Sequence, residues 1–129
     1  MSQGGNAVAN GKQMESIVIE HLKGKDYTLT LNKRIHWSPK NYYIPDIIID
    51  NSTVVELKYQ QVAGSAQNKL SQALLELQWM HNTIGYDAVL VISGDKLLHV
   101  INNDPAFQLA KVASPDVKVV TLEEFYTLY

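Results

Sequence analysis

Residues 44–60 constrain the fold more than any other stretch of the chain. Ile44 to Ile49 and Thr53 to Gln60 are apolar, strand-like segments, and only Asp50-Asn51-Ser52 separates them. A connection that short makes the two strands an antiparallel hairpin. Side chains alternate along a strand, so Glu56, Lys58 and Gln60 share one face while Val55, Leu57 and Tyr59 share the other. The length of the turn then decides where Asp46 points. A two-residue turn at Asn51-Ser52 pairs Asp50 with Thr53 and puts Asp46 on the face of Leu57. A three-residue turn pairs Ile49 with Thr53 and sets Asp46 across from Glu56. Two ionised side chains on a strand otherwise made of Val, Leu and Tyr are expensive if merely buried. They become sensible if a divalent metal and a phosphate complete the site. The expectation is therefore the odd-length turn or a bulge, with Pro45 at the strand's start, where a proline is tolerated.

The rest of the chain supplies elements around this hairpin. Met14, Ile17, Val18 and Leu22 recur at helical spacing and predict a helix from Lys12 to Leu22, ended by Gly24. Tyr27 to His36 alternates as one strand, and Ser38-Pro39-Lys40-Asn41 reads as a loop. Gly64-Ser65 opens a second helix with Ser65 as N-cap, and Ala66, Leu70, Ala73, Leu74 and Leu77 form its apolar stripe. Asp87 to Ser93 predicts a strand buried on both faces, and Gly94-Asp95 a turn. Pro105 to Val112 predicts a helix, Val117 to Val120 a strand, and Leu122 to Leu128 a helix begun at Thr121. The order α-β-β-β-α-β-α-β-α gives an α/β fold, a mixed sheet with helices on both faces.

Composition narrows the function. The chain has 129 residues, 46% of them hydrophobic and 19% charged, which suits one folded domain over residues 11–129 after a loose, flexible start over 1–10. No apolar run approaches the ~18 residues of a spanning helix, and the small, polar start argues against a secretory signal. The expectation is an intracellular, cytoplasmic protein with no membrane partner. There is no cysteine, which excludes disulfide scaffolds, thiolate zinc sites and cysteine nucleophiles. Net charge is −2, but residues 1–70 carry +2 and residues 71–129 carry −4, so an anionic partner should meet the first half. Arg34 is the only arginine, which rules out dense arginine readout of bases. No phosphate-cradling glycine loop occurs, so no nucleotide cofactor is indicated. His21, His36, His81 and His99 have no zinc-ligand spacing.

Pro45-Asp46 followed by Glu56-Leu57-Lys58 resembles the signature of the PD-(D/E)-x-K nuclease superfamily, the restriction-endonuclease-like fold. The resemblance extends to other segments. Gly11-Lys12-Gln13-Met14-Glu15 is similar to the family's glutamate-bearing first helix, and Gly64 to Leu70 to the helix that follows its lysine strand. Ala88 to Ile92 and Val117 to Phe125 resemble the next strand and the closing strand and helix, so the order of elements is shared over about residues 11–126. It implies a mixed central sheet flanked by helices with an α-β-β-β-α-β core. It also implies that Asp46, Glu56 and the Leu57 backbone carbonyl bind Mg²⁺, with Mn²⁺ able to substitute. Lys58 would orient the nucleophile and stabilise phosphorane charge rather than act as base. Glu15 would serve as an outer or second-metal ligand; Glu20 is the rival acid, with solvent-facing charge as its simpler reading.

The resemblance further implies a metal-dependent endonuclease that hydrolyses phosphodiester bonds in double-stranded or branched DNA. One site cuts one strand, so double-strand cleavage implies a homodimer. A site-specific restriction-like or homing-like enzyme comes first. A Holliday junction resolvase is the nearest rival, though such resolvases are usually strongly basic and the pI here is about 6.0. The rival from another class is a non-catalytic DNA-binding or assembly module. Gln60 shares the face of Glu56 and Lys58 and serves either a phosphate or water contact or packing. Lys33, Arg34, His36 and Lys40, interleaved with Trp37, Tyr42 and Tyr43, suit a nucleic-acid backbone or stacked bases, or else an ordinary exposed loop. Lys69, in the first turn of the second helix, is either a phosphate contact or a surface lysine.

Overall fold

Asn10 caps the first helix, α1 (Gly11–Lys23), its side chain accepting the Gln13 N–H at 2.8 Å. Met14, Val18 and Leu22 are buried one turn apart and form the face that docks on the sheet. The computed structural model describes residues 10–60 and 66–129. The expected Ser65 cap, and all of the flexible start except Asn10, lie outside the described residues.

The sequence predicts one strand over residues 27–36, but the structure has two short ones, β1 (Leu29–Thr30) and β2 (Ile35–His36). Asn32 between them takes φ 61°, a left-handed conformation that asparagine tolerates and a continuous strand does not. β2 turns back through residues 38–41 and pairs antiparallel with β3 (Tyr42–Tyr43), Ile35 opposite Tyr43 and His36 opposite Tyr42. Two residues are too few for an alternation signal, so the sequence shows the loop and not its flanks.

The central hairpin follows the odd-length turn. β4 (Ile47–Ile49) pairs with β5 (Thr53–Tyr59) in the register Ile49 to Thr53, Ile48 to Val54 and Ile47 to Val55. Asp50 and Asn51 sit at φ 52° and 54°, and the Ser52 N–H closes the turn on the Ile49 carbonyl at 3.0 Å. Asp50 also fastens the turn to the chain entering β1. Its Oδ1 accepts the Thr28 N–H at 2.8 Å and its own N–H donates to the Thr28 carbonyl at 2.7 Å. β4 starts at Ile47 rather than at residue 44, because Pro45 has no N–H to offer the ladder.

α2 (Ala66–Ile84) leads to β6 (Asp87–Ser93), then α3 (Asp95–Asn103), α4 (Pro105–Val112), β7 (Val117–Thr121) and α5 (Leu122–Leu128). The sequence reads Gly94-Asp95 as a simple turn. Gly94 is instead the N-cap residue of α3, whose Leu97 and Val100 are buried; a glycine cap offers no side-chain signal. The five-stranded sheet runs β1-β4-β5-β6-β7, antiparallel across the first two junctions and parallel across the last two. The architecture is therefore mixed α/β, with twelve elements among the described residues where the sequence predicts nine.

Both sheet faces are covered. Ile48, Val54, Ala88, Leu90 and Ile92 pack under α2, α3 and α4, and Ile47, Ile49, Val55, Leu57, Val89 and Val91 pack under α1 and α5. Thr121 begins α5 as expected. Its hydroxyl accepts the Glu124 N–H at 3.2 Å, and the Glu124 carboxylate accepts the Thr121 N–H at 2.8 Å. Thr121→Val, which keeps the shape and removes the acceptor, is expected to cost about 1 kcal/mol. A thermal melt should show a fall of roughly 3–6 °C.

Candidate active site

The register of β4 against β5 continues outward to place Asp46 opposite Glu56. Asp46 Oδ2 accepts the Leu57 N–H at 2.7 Å, so the carboxylate takes the place of a backbone acceptor just beyond the end of the β4–β5 ladder. Because Pro45 has no N–H, residue 45 offers the Leu57 carbonyl no donor. Glu56 is 6% exposed, and its Oε2 accepts from Lys58 Nζ at 2.9 Å. Its Oε1 is buried and has no hydrogen-bond partner among the described residues. Burial pushes the Asp46 carboxyl up to about 7, and the Glu56 charge adds to the shift. The Leu57 N–H and the Lys58 ammonium offset only part of it.

Two further residues, absent from the set that the sequence suggests, belong to this cluster. Tyr43 lies across from Ile35 on the inward face of the small hairpin, against Glu56. Its hydroxyl is also buried, next to the Glu56 carboxylate but outside good hydrogen-bonding geometry with any of the described residues. Burial, then the Glu56 carboxylate, hold the phenol far above its ordinary range, so it stays neutral. Glu76, the only acid of α2, sits over the same face. Burial raises its pKa, a Gln72 hydrogen bond lowers it, and the Glu56 charge raises it again. Its isolation between Leu75 and Leu77 was the available sequence signal. Tyr43 enters the sequence reading only as one of the aromatics of the basic stretch, and its two-residue strand gives no sign that it faces Glu56.

No protein-family model, curated protein or solved structure matches this chain. Function therefore has to be read from the geometry of the site.

The structure does not bring Glu15 to Asp46 and Glu56. α1 buries positions 14, 18 and 22 against Leu57, the opposite side of the sheet from Glu56, and Glu15 is turned to solvent. Glu20 is exposed as well, 4.0 Å from Lys23. Among the described residues, no three Asp, Glu or His side chains gather closely enough to hold a metal ion. The donors that remain are the two carboxylates and the Leu57 carbonyl. That set fits Mg²⁺, which is commonly held by one or two carboxylates with water and phosphate oxygens. The partnerless Glu56 Oε1 is the observation that makes room for a cation.

The other predicted contacts divide. Gln60 is buried just past the end of β5, where its N–H donates to the Ser93 carbonyl at 3.1 Å. Arg34 lies over the Tyr42 ring at 4.6 Å and His36 against the same ring at 5.4 Å, so these three share the outward face of the small hairpin. Lys33 reaches away to the Tyr86 hydroxyl at 3.5 Å, and Lys40 and Lys69 are exposed. Met80, near the end of α2, is fully buried. Trp79 is only half-buried and lines a cavity with Trp37 and Tyr43.

Proposed function

We propose that this chain is a metal-dependent DNA endonuclease built on a restriction-endonuclease-like sheet, with Asp46, Glu56 and Lys58 as its working residues. The observation that carries the reading is the buried Asp46–Glu56 carboxylate pair with one unpaired oxygen and a lysine at 2.9 Å. Like charges held together out of water are costly, so such a pair calls for a cation. Asp46, Glu56 and the Leu57 carbonyl would hold it. A divalent cation supplies Lewis acidity to the scissile phosphate and makes a water more acidic.

The chain's own residues do the rest. The Leu57 N–H fixes one Asp46 oxygen, leaving the other to face Glu56. Lys58, 22% exposed and tethered to Glu56, is a cation at the mouth of the site that orients the attacking water and stabilises the charge that grows on phosphorus. Tyr43 stays neutral at all ordinary pH and can donate its hydroxyl proton in a hydrogen bond to a phosphate or water oxygen. The outward Arg34, His36 and Tyr42 face suits a phosphate backbone. Site-specific, restriction-like or homing-like cleavage by a homodimer is the form this reading takes, and a four-way junction is the alternative substrate.

The test is cleavage of supercoiled plasmid by the purified chain in Mg²⁺, Mn²⁺ and EDTA, beside Lys58→Ala. Nicking or linearisation is expected with either metal and none in EDTA, and the variant is expected to lose at least about a hundredfold. Absence of cleavage of both plasmid and a four-way junction in either metal would overturn the enzyme reading. Binding of DNA that ignores Mg²⁺ and survives Asp46→Ala would mark a non-catalytic module instead.

A further inference from the structure

Beside the carboxylate pair lies a cavity of about 450 Å³ between the small hairpin and α2. Trp37 and Trp79, the only tryptophans in the chain, line it together with Tyr43 and Leu75. Gln72 and Glu76 are its polar groups. Its Tyr43 wall is the residue that lies against Glu56, so cavity and carboxylates share a partition one side chain thick. Trp37 is 51% exposed and Leu75 49%, which leaves large apolar surface at the cavity rather than in the core.

The shape of this lining matches one class of guest. Flat aromatic faces stack on any base, because every base has a π-face. An amide and a carboxyl in an otherwise apolar wall suit a planar ring with hydrogen-bonding groups along its edge. Cavities of this size hold small planar ligands with room for the attached sugar.

We propose that the cavity receives an unstacked nucleobase from the strand whose phosphate lies at Asp46 and Glu56. This rests on the nuclease reading above and gives it a substrate preference, for DNA in which a base beside the cut can leave the stack. Trp37 and Trp79 stack the base, Gln72 and Glu76 contact its edge, and Tyr43 divides base from phosphate. Single-stranded, mismatched or branched DNA supplies such a base at low energetic cost, and intact duplex does so only after unstacking.

Because both tryptophans line the cavity, intrinsic fluorescence reports on it directly. The full chain is titrated in Ca²⁺ with a short single-stranded DNA oligonucleotide, and with an abasic strand of the same length. Quenching is expected with the base-bearing strand and not with the abasic one. Trp37→Ala, at a half-exposed position that the core does not need, is expected to weaken base-bearing binding roughly tenfold, and Trp37→Phe to restore most of it. Equal quenching by both strands, quenching by neither, or unchanged affinity in Trp37→Ala would each overturn the proposal. Plasmid cleavage by the wild-type chain judges the other reading separately. Cleavage without base-dependent quenching removes the base pocket and keeps the nuclease. Base-dependent quenching without cleavage keeps the pocket and removes the catalysis.

Discussion

Asp46→Asn is expected to melt at a higher temperature than the wild type in EDTA at pH 8, and to lose at least about a thousandfold in metal-dependent cleavage. The isostere keeps an oxygen to accept the Leu57 N–H and removes the charge that opposes Glu56. Asp46 holds its proton more tightly in the folded chain, up to about 7, than in the unfolded chain, near 3.8. Below pH 4 both states are protonated and the group takes nothing from stability. Between about pH 4 and pH 7 the unfolded chain ionises first, and stability falls as pH rises. Above that window the loss is complete, on the order of 4 kcal/mol. The gain in Asp46→Asn should therefore be near zero at pH 4 and reach roughly 10–20 °C at pH 8. Mg²⁺ should raise the melting temperature of the wild type, where it offsets the repulsion, and leave the variant unmoved. A variant that melts lower than the wild type at pH 8, or gains equally at both pH values, would remove the charged-pair account. A residue whose removal stabilises the fold while ending the chemistry is the pattern expected of a functional site.

Gly94→Ala is expected to be the most destabilising conservative change in the chain. Gly94 has φ 98°, where an L side chain is strained. A Cβ there would run into the Gln60 backbone, against the carbonyl oxygen and only 2.6 Å from the carbonyl carbon. Backbone atoms cannot swing aside as a flexible side chain does. The end of β5 would have to separate from the turn after β6, breaking the Gln60 N–H to Ser93 carbonyl bond. Overpacking and strain together amount to about 3–5 kcal/mol. Urea denaturation should show a midpoint well below the wild type, with activity declining in parallel because Lys58 lies two residues before Gln60. Gly11→Ala, where an added Cβ meets nothing within 4 Å, is the control and should melt within a degree or two of wild type.

The hairpin and its register were legible in the sequence because parity is unforgiving: only an odd-length turn sets Asp46 across from Glu56, and that turn formed. The long elements were legible for a related reason. The stripes of α1 and α2 and the doubly buried β6 repeat often enough for periodicity to identify them. The elements that escaped were short or contributed from afar. The β2–β3 pair has two residues a side, and α3 starts on a glycine with no capping side chain. Glu15 enters the expected site through the resemblance of its helix to the family's first helix, which does not state the face that helix covers. α1 docks on the Leu57 face, and a further acid that feels the Glu56 charge is contributed by α2 instead. No local pattern states which sheet face a helix will choose; that is settled by the total apolar area buried on each side.

The two halves of the sheet differ in how far along the chain their partners lie. β4 meets β5 across three residues, while β5 meets β6 only after α2 has been laid between them. Closing the short loop forfeits less chain entropy, so the hairpin should form ahead of the parallel pairing. Asp50→Ala in the turn is then expected to slow folding, and changes in the α2 wall to speed unfolding, which stopped-flow measurements on each would separate. The carboxylates would meet early, and the aromatic chamber beside them would be finished late and open first. Chemistry and selectivity would then reside in parts of the molecule with different lifetimes.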